Sequence, residues 1–254
     1  MLDFYRFSDL EKYPQLMHLV TTKSDTKPYT FSLALHTGEE ETSIIRNRQT
    51  LAQHLDTNAK LHFIVANQTH SDNIWPITEE TTKGWKSIED AIENCDALIT
   101  DLPNVVLSIL TADCVPILLY DTQNHAIAAI HAGWKGTQAQ ITKKTVKKMQ
   151  ELFDTNPENI VAGIAPSIGR CCYEVGEDVA KHFFDTPKSY TQRNHKYMLD
   201  LPYLNKVQLL QAGLIESNIE LSNVCTACNI KQFFSYRKED GCSGRFMSMI
   251  GIDR

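Results

Sequence analysis

The 254 residues contain no apolar run approaching the roughly 18 residues of a membrane span. They also contain no internal repeat, low-complexity tract or Gly/Ser/Pro-rich linker. Eleven glycines and nine prolines are spread thinly, so nothing marks a boundary, and one domain over residues 1–254 is the expectation. A basic excess is missing too: 25 Lys and Arg stand against 31 Asp and Glu, a net charge of −6 that argues against nucleic-acid or membrane-surface binding. The opening MLDFYRFSDLEKYP lacks the basic segment and apolar core of a secretory signal. No G-x-G-x-x-G or P-loop motif appears, so no dinucleotide cofactor is expected. The seven cysteines are an odd number, and 42% of the chain is hydrophobic, enough for a sizeable core. That suits reduced thiols in a cytoplasm better than a disulfide framework.

What is present reads as short strands and a few helices. Tyr29–Leu35, Leu61–Asn67, Ala97–Thr100, Val105–Leu110, Val115–Tyr120, Ala126–Ile130, Ile160–Ile164 and Arg245–Ile252 are rich in branched apolar residues and bounded by turn formers. Thr137–Phe153 sets Ile141, Val146, Met149, Leu152 and Phe153 on one side, with Lys143, Lys144, Lys147 and Lys148 as a solvated face. Ser43–Leu55 and Pro202–Leu214 share that patterning, and Pro202 suits a first helical turn. Strands come in runs as well as in alternation with helices. The expected class is α+β, with mixed β-sheets flanked by helices in a layered sandwich.

The densest chemistry lies in LTADCVPILLYDTQNHAIAAIHAGWKGT, residues 110–137. If Val115–Tyr120 and Ala126–Ile130 form a hairpin closed by Asp121-Thr122-Gln123-Asn124, Tyr120 pairs with His125. Cys114 then lies directly opposite His131. Opposed side chains sit roughly 4.5–5.5 Å apart at Cβ, close enough to share one metal or one proton. His70, just past the strand-like run Leu61–Asn67, is a third candidate. Two His and one Cys suit zinc with a fourth position open, the arrangement of catalytic sites. The plain alternative is a buried structural cysteine with two satisfied histidines.

Several blocks, spanning roughly positions 30 to 252 in order, also carry a resemblance. They are N-Q-T-H at 67–70, L-T-A-D-C-V-P-I at 110–117, I-H-A-G-W-K-G-T at 130–137, G-I-A-P-S-I-G-R-C-C-Y-E-V-G at 163–176, and F-F-S-Y-R at 233–237 with G-R at 244–245. The chain resembles the family long labelled polyphenol oxidase or multicopper laccase-domain proteins, whose members are now regarded as purine nucleoside phosphorylases with adenosine deaminase activity. The resemblance implies a single α+β domain and a catalytic zinc on His70, Cys114 and His131. It further implies phosphorolysis of adenosine, inosine and methylthioadenosine to free base and the corresponding ribose 1-phosphate, 5-methylthio-substituted in the last case. The oxidase label meets an obstacle in the residues. A four-copper oxidase needs on the order of ten histidines, several as H-x-H pairs; this chain has nine histidines and no H-x-H. Copper can enter a Cys/His₂ site because it outcompetes zinc at most N/S sites, and such copper is expected to be adventitious.

Arg48, Lys135, Arg170, Arg237 and Arg245 are candidate anion ligands, with Arg48 and Arg245 ranked first for phosphate. Gln68 and Trp134 are candidate base or ribose contacts, core packing being the alternative for the tryptophan. Asp113 would support a zinc-ligating histidine or cap the turn, and His125 or Glu174 would serve as acid or base. Cys225-Thr226-Ala227-Cys228 has the spacing of half a zinc ribbon or a redox pair, nominally completed by Cys242 and His195. Cys171 and Cys172 are adjacent, which disfavours a disulfide between them; they line the site or are buried. Cys95 reads as structural. The competing function is a metal-free cysteine hydrolase or amidase acting on peptidoglycan precursors, with Cys114 as nucleophile and His131 as base. A third is a thiol-based sensor built on the C-x-x-C. Oligomeric state is not legible.

Overall fold

The computed structural model describes residues 2–55, 60–241 and 243–253. One sheet has five strands in the order β1 (Phe4–Tyr5), β2 (Leu16–Thr21), β14 (Phe246–Ile252), β6 (Val105–Thr111) and β3 (His62–Val65). A second has six, in the order β13 (Ile219–Leu221), β9 (Ile160–Ile164), β7 (Val115–Asp121), β8 (Ile127–Ala132), β5 (Ala97–Thr100) and β4 (Ile74–Pro76). A small third sheet pairs β10 (Glu174–Val175), β12 (Lys196–Leu199) and β11 (Tyr190–Arg193). The pairs β3/β6, β4/β5 and β9/β13 are parallel and the others antiparallel, so the two large sheets are mixed, as expected for the α+β class.

Strand alternation explains the layers. Leu107 and Ile109 of β6 and Phe246 and Ile250 of β14 meet Leu118 and Tyr120 of β7 and Ile127 and Ala129 of β8 between the two large sheets. The intervening residues face outward. Ile117, Leu119, Ala128 and Ile130 pack on α3 (Ile141–Phe153) and α5 (Leu201–Gln211). Val106, Leu110, Met247 and Met249 pack on α1 (Glu41–Gln53) and on Phe31 and Leu33. Burying each Leu, Ile or Phe contributes roughly 1.5–3 kcal/mol, so strands two-sided in this way anchor the sandwich.

Four expectations need correction. Tyr29–Leu35 is not a strand: Tyr29, Thr30 and Phe31 have φ of 49°, 48° and 71°. α1 takes the carbonyls of that segment, Asn47 Nδ2 donating to Pro28 and Ser32 and Arg48 Nε to Leu33. The helix expected over 137–153 is broken by Gln140, whose φ is 62°, into α2 (Trp134–Gln138) and α3, leaving Leu152 exposed. β2 was not anticipated, because the apolar run Leu16–Thr21 is interrupted by a buried His18 whose Nε2 accepts from Phe7 N at 2.9 Å. The fourth correction is the hairpin register. Asp121 extends β7 and donates its N–H to Ala126 O, and its carboxylate accepts from Gln123 N and Asn124 N. Tyr120 therefore pairs with Ile127, and His131 with Pro116. The slip is two residues, not one, so faces are preserved. Cys114 falls opposite Gly133 and diagonal to His131, on the side that faces the other sheet.

Candidate active site

Five chain segments reach the same end of the sandwich. β3 ends there, the link Ala112–Cys114 crosses from β6 to β7, β8 ends and β14 begins, while the segment preceding β5 comes alongside. His70 sits on the loop after β3 with φ 60°. Its Nε2 is 3.7 Å from Cys114 Sγ, and its ring is 4.8 Å from that of His131, edge to face. One donor atom from each of His70, Cys114 and His131 lies within 4.8 Å of the others. The three sequence candidates thus converge.

Gly133 makes the convergence possible. A Cβ there would stand 2.9 Å from His70 Cδ2 and 3.1 Å from Cys114 Sγ, so only glycine leaves both side chains their place. Asp96, fully buried just before β5, holds the cluster from behind. Its carboxylate accepts from His131 Nδ1 at 2.7 Å, from the backbone N–H groups of Thr69, His70 and Ser71 at 3.2, 3.0 and 2.7 Å, and from Ser71 Oγ at 2.7 Å. His131 N also donates to the Asp96 carbonyl. Because Nδ1–H of His131 is spent on Asp96, Nε2 is the ring atom left for Cys114 or a cation. The support expected of Asp113 is supplied by Asp96, which sequence reasoning missed; its signal was a lone acid opening the apolar strand Ala97–Thr100. Asp113 instead, at φ 92°, pins the walls of the cavity, accepting from Thr226 Oγ1 at 2.6 Å and Arg237 N at 2.7 Å.

Burial disfavours charge on all three members of the Asp96–His131–Cys114 row, yet their mutual attraction prevails. Burial would raise the Cys114 thiol, but the neighbouring His131 charge and the hydrogen bonds from both histidines bring it down to about 6. His131 is raised despite burial by Cys114 and Asp96, and Asp96 is held low by His131 and Ser71. Along the row each partner favours the charged form of the next, carboxylate to imidazolium to thiolate.

Above it opens a cavity of about 510 Å³, inside the roughly 300–1,000 Å³ range of small-molecule sites. Trp134, Tyr173, Tyr236, Ile168 and Leu110 form apolar walls; Arg237, Arg245 and His36 supply polar groups. Arg245 Nη1 donates to Ser243 O, Ser243 Oγ and Gly244 O, with its guanidinium over the Tyr236 ring. Arg237 lies over Tyr173 and donates from Nη1 to Glu174 O. His36 is lowered by desolvation and then by the charges of Arg245 and Arg48. Gln68 lines the cavity, but its amide is engaged, Nε2 donating to Leu110 O and Oε1 accepting from Leu110 N, both at 2.8 Å.

Other candidates are not brought there. Arg48 is buried beside α1, donating from Nη1 to Gly84 O and Trp85 O, so its guanidinium is a structural clasp and not a cavity group. His125 bonds Tyr120 OH at the far hairpin turn. Arg170 pairs with Asp200 at 3.1 Å. Glu174 and Lys135 do not line the cavity.

The chain matches the family described as "Multi-copper polyphenol oxidoreductase laccase" over residues 17–253. It is 35% identical to a purine nucleoside phosphorylase of Bacteroides thetaiotaomicron, with 98% of this chain and 96% of the relative covered. It is 33% identical to purine nucleoside phosphorylase YlmD of Bacillus subtilis, covering 91% and 87%. The crystal structure of YlmD from Geobacillus stearothermophilus superposes with a TM-score of 0.90 at 30% identity, covering 98% and 94%.

Proposed function

This chain belongs to the multi-copper polyphenol oxidoreductase laccase family, and we propose that it is a purine nucleoside phosphorylase with adenosine deaminase activity, acting at a zinc held by His70, Cys114 and His131. The observation that carries the reading is the convergence of those three donors on the floor of an aromatic-walled cavity. Zinc fits this donor set. Two imidazoles and one thiol prone to ionise are brought together, one imidazole is aimed by Asp96, and three protein ligands leave a position for water or substrate. When bound, zinc supplies a Lewis acid that lowers the pKa of water and polarises substrate atoms. Two histidines in one such cluster do not make a four-copper oxidase. Among the described residues, the other convergent group of potential ligands contains no histidine.

In phosphorolysis, a phosphate oxygen forms a bond to C1′ while the C1′–N9 bond breaks, and the purine departs with a proton. Adenosine, inosine and methylthioadenosine share that scissile bond. Trp134 and Tyr173 flank the purine by stacking. Arg245, with Nε and Nη2 outside its bonds to Ser243 and Gly244, and Arg237 hold the phosphate. Both Asp113 oxygens are occupied by Thr226 and Arg237, so proton movement falls to His36, Tyr173 or Tyr236. In deamination, water adds at C6 of adenine and ammonia leaves.

The test is chromatography of adenosine and inosine incubated with zinc-loaded protein, with and without phosphate, beside Cys114→Ser. Phosphate-dependent free base and ribose 1-phosphate, absent with the variant, are expected; adenosine turning to inosine without phosphate adds the deaminase. Untouched nucleosides in every tube would refute the assignment. Metal demand separates this reading from a metal-free cysteine hydrolase: chelation should abolish the first chemistry and would spare the second.

A further inference from the structure

A second cluster lies on the other side of the cavity wall. Cys171 and Cys172 occupy a tight turn in which the N–H groups of Cys172 and Tyr173 both donate to Gly169 O at 3.0 Å. Cys225 and Cys228 occupy another, closed by Asn229 N donating to Cys225 O at 3.0 Å. A spacing of three in such a turn brings both side chains to one side. The two turns are stitched together by Ser167 pairing with Cys225 and by Thr226 N donating to Ser167 O. Cys228 Sγ is 3.6 Å from Cys171 Sγ and 3.4 Å from Cys172 Sγ, and all four sulfurs lie within 4.8 Å of one another. The sequence nominally completes the Cys225/Cys228 set with Cys242 and His195. Cys242 lies outside the described residues, His195 is exposed on the β11–β12 turn, and Cys171 and Cys172 stand in their place.

We propose that Cys171, Cys172, Cys225 and Cys228 form a tetrathiolate site for one soft divalent cation of the zinc type, distinct from the His70–Cys114–His131 site and structural in role. Zinc–sulfur bonds of about 2.3 Å in a tetrahedron separate neighbouring sulfurs by roughly 3.8 Å, close to the spacings seen. A polynuclear iron–sulfur cluster spreads its thiolates over several metals, whereas these four converge on one point. Gly169 N donates to Cys225 Sγ at 3.2 Å, the kind of bond that stabilises a metal-bound thiolate. A Cβ at Gly169 would stand 3.2 Å from Cys225 Cβ and 3.4 Å from Cys171 Sγ, so this approach too is reserved for glycine. Four protein ligands leave no position for substrate, which is the closed arrangement of a structural site. The cluster has work to do in the fold. Ile168, Cys225 and Ala227, with Cys172 and Tyr173, form an apolar island separate from the main cores, and Ile168 and Tyr173 line the cavity. The cation therefore cross-links the wall against which substrate rests.

The experiment measures zinc per chain and the zinc X-ray absorption of Cys114→Ser, which lacks a ligand of the other site. One zinc per chain with four sulfur neighbours at about 2.3 Å is expected, and Cys228→Ser in the same background should lose it. Because loss of a structural ligand can unfold a protein, the unaltered chain is tested as well. With zinc bound, Cys171, Cys172, Cys225 and Cys228 should resist alkylation together, and a chelator should release all four together. Several results would overturn the proposal: no zinc in Cys114→Ser, nitrogen or oxygen among its neighbours, a Cys172–Cys228 disulfide in the zinc-loaded protein, or alkylation of Cys171 and Cys228 at the same rate with and without zinc. None of these readouts depends on nucleoside turnover, so the fate of the phosphorylase reading leaves the result interpretable.

Discussion

Replacing Gly133 by alanine isolates the geometry of the three-donor cluster. Gly133 has φ −71° and ψ 176°, a backbone conformation open to alanine, so the added methyl acts through contact and not through backbone strain. It would meet His70 Cδ2 at 2.9 Å and Cys114 Sγ at 3.1 Å. Carbon atoms pack at about 3.5–4.0 Å, so the His70 ring must retreat by roughly 0.6 Å or more, while metal–ligand distances tolerate only about 0.2 Å. Displacement beyond that tolerance should weaken zinc by about 10–100-fold, the loss usual when a ligand's orientation is disturbed. Gly133 also precedes α2, where alanine is a poor cap; about 1 kcal/mol of stability, or roughly 2–4 °C in Tm, is the accompanying cost. Competition with a chelator of known affinity measures the first effect and thermal melting the second. Wild-type zinc affinity in the folded variant would refute the view that Gly133 reserves space for the ligands.

Three further outcomes are expected. Asp96→Asn replaces a carboxylate that accepts from three backbone N–H groups, Ser71 Oγ and His131 Nδ1; zinc affinity should fall about 10–100-fold and stability by about 2–3 kcal/mol, as read by chelator competition and denaturant unfolding. In metal-free protein, Cys114, with its thiol brought down to about 6, should alkylate at a rate that rises through pH 6 and is flat by pH 8, whereas an ordinary thiol keeps gaining near pH 8.5; a rise centred there would contradict the ion-pair description. Buried His18 is lowered to about 4, chiefly by burial and then by Arg6. The unfolded chain therefore binds the extra proton between pH 6.5 and 4, and stability falls as pH drops through that window by up to about 1.4 kcal/mol per pH unit. His18→Gln, which keeps an acceptor for Phe7 N, should flatten that slope in urea titrations at successive pH values, and an unchanged slope would place the titration elsewhere.

The sandwich was legible because its strands are short branched-apolar runs between turn residues, and β5 and β9 fall where periodicity puts them. The hairpin's existence and the shared face of Cys114 and His131 were legible for the same reason, but its register was not. Asp121 reads as a turn residue by type, yet its backbone continues the strand while its side chain shapes the turn. Arg48 shows the limit for charged residues: a guanidinium that clasps Leu33, Gly84 and Trp85 carbonyls has the same sequence appearance as one awaiting an anion. The pairing of Cys171-Cys172 with Cys225 and Cys228 is a product of tertiary assembly that local spacing does not announce, and Asp96 shows in the sequence only as a lone acid before an apolar strand.

The meeting of separate segments at one end of the sandwich sets an order of events. His70, Cys114 and His131 come from β3's loop, the β6–β7 link and β8, and the Asp96 that aims them comes from a fourth place in the chain. No stretch emerging during synthesis holds the full donor set, unlike a zinc finger whose ligands share one short loop. A cation captured here is thus chosen by a finished fold and not by a nascent chain. Copper wins wherever ligands compete on affinity alone, so any preference for zinc here must come from the geometry of that fold. The finished fold also leaves a way out: His70 sits on an exposed loop and the donors line an open cavity, so the cation should exchange through that cavity without global unfolding.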